Sequence, residues 1–237
     1  MVLAGITSAT TLNATASGTI TDTGTLVVSG TTTLAAGTGN NILLDDTSNN
    51  FGTVVITSGA DVTLVDTNAI DLGASTVTGA LDVTSGAGIT DSGALSVGTT
   101  SRFEVAGSSD ITLDSTGTYT GAVTFAATSG NIGNITIVDS GAISIAALGT
   151  ITSLSVTSTG STVDHAGITS ATTLNVTAGG AISDSGTLVV SGTTTIVAGT
   201  NTVILDEAAN NFGTVAITSA TTATLVDTNA IDLGAST

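Results

Sequence analysis

The chain has 237 residues, a formal net charge of −17 and one basic side chain, Arg102, with no Pro, Cys or Trp. This balance argues against nucleic acid, which is bound through Lys and Arg meeting phosphates, and against anionic membrane surfaces. It also removes disulfides and thiolate metal centres from consideration. With 41% hydrophobic residues and a mean hydropathy of +0.54, the chain is too apolar for disorder.

The opening MVLAGITSATTLN has neither a basic n-region nor a long apolar h-region, so it does not read as a signal peptide. No apolar run approaches the roughly 18 residues of a membrane helix, and no membrane insertion is expected. Short apolar–polar–apolar triplets then recur along the chain. They include Val62-Thr63-Leu64, Ile70-Asp71-Leu72, Leu81-Asp82-Val83, Leu95-Ser96-Val97, Ile111-Thr112-Leu113, Ile135-Thr136-Ile137, Ile143-Ser144-Ile145 and Leu154-Ser155-Val156. Alternation of this kind is the period of a strand with one buried face. Gly, Ser, Asn and Asp between the triplets supply turns.

The triplets follow a repeating rhythm. They start at Leu12, Ile20, Leu26, Leu34, Ile42, Val54, Val62 and Ile70, and the same spacing begins again from Leu81 with Ile89, Leu95, Phe103, Ile111 and Val123. Longer phrases repeat as well. AGITSATTLN occurs at Ala4–Asn13 and Ala166–Asn175, GTLVVSGTTT at Gly24–Thr33 and Gly186–Thr195, and LVDTNAIDLGAST at Leu64–Thr76 and Leu225–Thr237. The step from Ala4 to Ala166 equals that from Gly24 to Gly186. From NNFGTV onward, at Asn49–Val54 and Asn210–Val215, the step is shorter by a single position, so one residue was lost between. The large repeat therefore runs over 4–165 and, incompletely, 166–237. Weaker sub-repeats start near Leu12, Leu81 and Leu154.

These spacings predict an all-β fold, a single continuous parallel β-helix over residues 1–237. About three short strands form each coil of about 20–24 residues, and ten or eleven coils stacked at about 4.8 Å make a rod of about 50 Å. A lone coil cannot offset the entropy of ordering its residues, so coils must stack. The absence of Pro suits central strands. Open ends would need caps or partners, and neither a capping helix nor a charged terminal coil is present in the sequence.

The segments VTSGAGITDSGALSVG, NNFGTVVIT and VTLVDTNAIDLGASTVTGALDVTSG resemble the strand repeats of filamentous-haemagglutinin-like adhesins, giant bacterial exoproteins exported by two-partner secretion. The resemblance covers essentially the whole chain. It implies a right-handed β-helical shaft projecting from a cell. Secretion-recognition and receptor-binding regions of that family are not matched here, so no adhesive residue carries over.

Candidate chemistry is sparse. Asp66, Asn68 and Asp71, repeated at Asp227, Asn229 and Asp232, offer oxygens to Ca²⁺, as do Asp45, Asp46, Asn49 and Asn50 with their counterparts Asp206, Glu207, Asn210 and Asn211. Neither set matches a Ca²⁺-loop motif, and turn-making or corner-stacking is the expected role. No cofactor is therefore assigned. Paired carboxylates for glycoside cleavage would need basic or aromatic partners, and the chain has one His, one Tyr (Tyr119) and four Phe.

His165 follows Asp164, but no nucleophile elbow accompanies them, and His165 reads as a surface or corner residue. Arg102, beside Phe103 and Glu104, reads as a local ion pair or a stacked guanidinium. The runs Thr31–Thr33 and Thr193–Thr195 are too sporadic for an ice-binding face and read as solvated surface. Phe51 and Phe212, in matching NNFG segments, read as core or corner plugs. Asn13, Asn134 and Asn175 head Asn-x-Thr triplets.

The expectation is a non-enzymatic structural segment of an extracellular bacterial surface shaft. Its partners would be neighbouring repeats or stacked copies of itself, with surface polysaccharide a further candidate. A self-assembling filament, sheath or surface-layer subunit is the alternative, and a carbohydrate- or calcium-binding module a third.

Overall fold

The computed structural model describes all residues 1–237. It contains strands and turns and no helix. Two sheets run the length of the molecule, a first of 12 strands from Val2–Leu3 to Thr222–Leu225, and a second of 16 strands, 12 of them on one path and four beside it. Every pairing is parallel and joins one turn to the next; Leu81 pairs with Val62 below and Ser101 above. This is a parallel β-solenoid of about 12 turns, more than the ten or eleven coils expected. Turn length also varies more than expected. A short turn separates Thr53 from its partner Asp71, and a long one separates Ile111 from Ile135. At about 4.8 Å per turn the rod is about 55 Å long.

The triplets are the wall. The outer two residues of all eight triplets named above are buried, while each central residue lies on the outer face. The inward side chains merge into one core cluster of 53 residues, so no break in the apolar filling divides the rod. Not all strands are short, however. Leu26–Ala35 lies on Ile6–Ala9 with its first residues and on Leu12–Thr15 with its last, bending between Val28 and Thr31. Leu188–Val197 repeats this on Ile168–Ala171 and Thr173–Ala178.

The third side moves along the rod. In the first and last turns it lies before the second-sheet strand, as Ile6–Ala9 and Ile168–Ala171. In the middle it lies after it, as the ladder Ser75–Val77, Leu95–Val97 and the end of Ile111–Tyr119. That ladder stops at Tyr119. There Phe103 meets Tyr119 edge-on at 6.4 Å and stacks on Phe125 at 6.0 Å, so three rings fill the space where the cross-section changes.

The register also explains the lengths of the repeats. Leu12 lies on the second sheet in the first turn, and its large-repeat counterpart Leu174 lies on the second sheet eight strands later. The large repeat is thus eight whole turns. The sub-repeats are out of phase with the turns. Leu81, the counterpart of Leu12, belongs to the first sheet, and Leu154 belongs to the second. The first sub-repeat advances three turns and the part of a turn that leads from the second sheet to the first, the second three turns and the part that leads from the first sheet back to the second. The remaining segment, from Leu154 to its ladder partner Leu174, completes one more turn.

Candidate functional site

The acidic phrases sort by face. Asp66 points inward and is 2% exposed. Its Oδ2 accepts the Phe51 amide at 2.5 Å and its Oδ1 the Asn68 amide at 2.7 Å. Burial pushes the Asp66 carboxyl above its ordinary range, and the two amides oppose that shift. Asp71 points outward and accepts the Ser92 hydroxyl at 2.6 Å. Asp227 repeats the turn, accepting the amides of Phe212 at 3.0 Å and Asn229 at 2.8 Å, and Asp232 accepts the Thr214 hydroxyl at 3.0 Å. The side chains of this phrase are therefore divided between inside and outside, and the carboxylates near the core are held by backbone amides. No group of three or more His, Cys, Asp or Glu side chains converges as a metal site.

The second acidic phrase serves a network that its own letters do not disclose. Asn49 is fully buried; its Oδ1 accepts the Leu26 amide at 2.8 Å and its Nδ2 donates to Asp22 Oδ2 at 2.6 Å. Asp22 Oδ1 takes the Asp45 amide at 3.2 Å. The second copy rebuilds every bond: Asn210 to the Leu188 amide at 2.7 Å and to Asp184 at 2.6 Å, and the Asp206 amide to Asp184 at 3.1 Å. Asp46 and Ser48 form a local turn at 2.9 Å. Asp22 and Asp184 were missed by sequence reasoning. Their signal is position: each is third in an Ile-x-Asp triplet, where the eight triplets named above carry an apolar residue.

Two expectations about polar residues are corrected in the same way. His165 is third in Val163-Asp164-His165 and therefore points into the core, 1% exposed, with neither ring nitrogen hydrogen-bonded. It is not a surface or corner residue. Burial pushes its pKa down to about 4, against the opposing charge of Asp164. Asp164 faces out and accepts the Ser183 and Ser185 hydroxyls at 2.9 and 2.8 Å, so no Ser–His–Asp relay is assembled. Thr32 and Thr194, central in their Thr runs, also point inward and are fully buried, while their neighbours face out.

Arg102 forms ion pairs with Glu104 at 2.8 Å and with Asp82 at 3.1 Å. The second partner follows from register, since Asp82 lies directly below Arg102. Phe51 and Phe212 are buried plugs. The Asn of each Asn-x-Thr triplet is exposed and lies on a strand. Asn134 is engaged with Asp110 and with the Ser153 hydroxyl. A shallow groove crosses three turns at Ala147, Leu148, Ala166, Gly167, Ile168 and Val189. It contains no titratable side chain.

With this geometry in place, the comparison with known proteins yields one match. A family described as "Repeats of unknown function (DUF5649)" matches at residues 1–58, 59–126 and 153–219. The chain belongs to that family. The stretch 153–219 begins beside Leu154, whereas the boundary at 59 lies well before Leu81. No curated protein and no solved structure matches the chain. No helix is long and apolar enough to cross a membrane.

Proposed function

We propose that the chain is a non-enzymatic structural segment, a piece of an extracellular bacterial surface shaft of the filamentous-haemagglutinin-like kind. One observation carries this reading: the large repeat equals eight whole turns. A whole-turn repeat returns every outward residue to the same face, so copies can follow one another without changing the course of the rod. A stiff spacer needs that property, whereas a binding or catalytic module needs a local departure from it. The carboxylates of Asp22, Asp66 and Asp184 support the same reading, because backbone amides and Asn side chains already occupy their oxygens. The lone tryptic position, Arg102, lies on a paired strand between two acidic partners, which suits a protein exposed to proteases.

The test is surface labelling of intact source cells with an antibody raised against the folded chain, before and after cell permeabilisation. Labelling of intact cells supports the shaft. Labelling that requires permeabilisation overturns it. A long trypsin digest of the folded rod adds a second arm, in which rapid cleavage after Arg102 counts against a protease-resistant spacer.

End-to-end stacking of copies is a second reading. It is supported by the mode of stacking, in which each turn pairs with the next through parallel strand edges of a kind that a second copy also presents. A purely monomeric species in sedimentation at high concentration rules it out.

A further inference from the structure

The outer face of the second sheet changes character along the rod. In the middle it carries Asp71 and Asp114. From Ile132–Asp139 to Asn211–Ser219, where five of its strands lie in succession, it carries no charge, since Asp139 points inward. The register sets the outward residues in columns. Thr136, Ser155, Asn175, Thr195 and Ala216 stand one above the other in the central column. The columns on either side hold Thr, Ser, Asn and Val and no ionisable group.

Elsewhere the outward polar groups are occupied by one another. Ser92 donates to Asp71, and Ser183 and Ser185 donate to Asp164. On the uncharged face such bridges are confined to the edges, Ser153 to Asn134 at 2.7 Å and Thr214 to Asp232 at 3.0 Å. The hydroxyls of Ser155 and Thr195 and the side-chain amide of Asn175 are left free between them. Asn175 is exposed. It sits on the middle strand of the five and in the middle column, so it marks the centre of the face.

We propose that this face is a lateral docking surface for a second copy of the chain, paired antiparallel about a two-fold axis through Asn175. An amide side chain donates and accepts, so Asn175 can satisfy itself across such an axis. Ser155 of one copy then meets Thr195 of the other, and Thr136 meets Ala216. Hydroxyls also donate and accept, so each such meeting is self-complementary. Both copies have the same rise per turn, which keeps their rows in step, and facing sheets of this kind interdigitate at about 10 Å. The β-branched Thr and Val side chains lose little rotamer freedom on contact.

Charge selects both the occupant's face and its direction. Each copy carries a net charge of −17, so two copies repel unless they meet where no carboxylate is covered. The first sheet does not offer that, because Asp82, Glu104 and Asp164 lie on its outside. A parallel pair on the second sheet would set Asp71 and Asp114 against their own copies. The antiparallel pair carries the two acidic middles apart in opposite directions. Five turns by three columns cover about 24 Å by about 14 Å, or about 700 Å² summed over both copies. That is less than the roughly 1,200–2,000 Å² of a stable complex, so the pair is weak and forms as concentration rises.

The chain has no Cys, so single Cys variants treated with a short bis-maleimide report one position at a time. Asn175→Cys is expected to cross-link to itself severalfold faster than Ser144→Cys, which faces out from the first sheet. A mixture of Thr136→Cys and Ala216→Cys chains should give mixed dimers, while Thr136→Cys alone gives few. Adding Asn175→Asp to both members of the mixture places like charges on the axis and should abolish the mixed dimer. Added NaCl screens the repulsion between copies and should raise the yield at Asn175→Cys. Equal rates at Asn175→Cys and Ser144→Cys overturn the proposal. So does Thr136→Cys alone linking as fast as the mixture, because the copies would then lie parallel. Neither result bears on the surface labelling that tests the shaft.

Discussion

Asn49 donates to Asp22 at 2.6 Å, from one turn to the next, while the Oδ1 atom of the same Asn accepts the Leu26 amide. One buried amide therefore fastens two consecutive turns at the corner between the first sheet and the third side. Replacing Asn49 by Ala leaves a carboxylate oxygen and a backbone amide unpaired in the core. The expected loss is about 1.5–3 kcal/mol, read as a lower midpoint in urea. Asn210→Ala should cost a similar amount, because its bonds to Leu188 and Asp184 have matching lengths.

His165 gives the rod a sensitivity to acid. Its folded pKa of about 4 lies below the ordinary 6.5. Stability from keeping the ring neutral is full above pH 6.5 and is lost as pH falls toward 4. At about 1.4 kcal/mol per unit, the loss is on the order of 3 kcal/mol. Leu3, its large-repeat counterpart, is apolar. His165→Leu should therefore flatten this part of the pH profile. Urea midpoints at about pH 7 and about pH 4.5 check it. The expected result is a large gap for the native chain and a smaller one for the variant.

Gly52 follows the Phe51 plug at a bend where the chain passes close over the turn below. A Cβ at this position would stand 2.5 Å from the Ser29 carbonyl oxygen and 2.7 Å from that of Gly30. Backbone of a paired strand cannot yield as a side chain can. Gly52→Ala is expected to destabilise by about 1–3 kcal/mol. Gly213 meets the corresponding carbonyls of Ser191 and Gly192, so Gly213→Ala should behave alike. Ala at Gly141, which has open space around it, is the control with little effect.

The last turn shows what cover a turn requires. Val62–Asp66 is well buried because Leu81–Ser85 lies on it, whereas its repeat, Thr222–Leu225, is largely exposed. Extending the chain after Thr237 with a copy of residues 77–105 should supply the matching cover. The melting temperature should rise by about 2–4 °C for each kcal/mol gained. Hydrogen exchange should slow at Thr222–Leu225 and Asp232–Leu233.

Legibility differed by residue. Triplets such as Ile111-Thr112-Leu113 announce their buried faces, because alternation is a local property. His165, Asp22 and Thr32 obey the same alternation, yet their polar identity suggests the surface. Inward direction prevailed because strand geometry sets the side of each residue before chemistry has a say. The Asn49–Asp22 bond was not legible, since nothing in the intervening segment marks where a turn closes.

The sequence by itself determined that the chain is a repetitive parallel β-solenoid with apolar triplets as its wall, because period-2 patterning and turn residues act within a few positions. It also determined which positions correspond, Ala4 with Ala166, and Leu12 with Leu81 and Leu154. Only the tertiary structure decided what those offsets mean: that the large repeat is eight whole turns, and that Leu12 and Leu81 lie on different sheets. An apolar–polar–apolar triplet fits any side of the coil equally well. The side it takes depends on how much chain each corner consumes, and corners are settled by backbone closure and packing between turns.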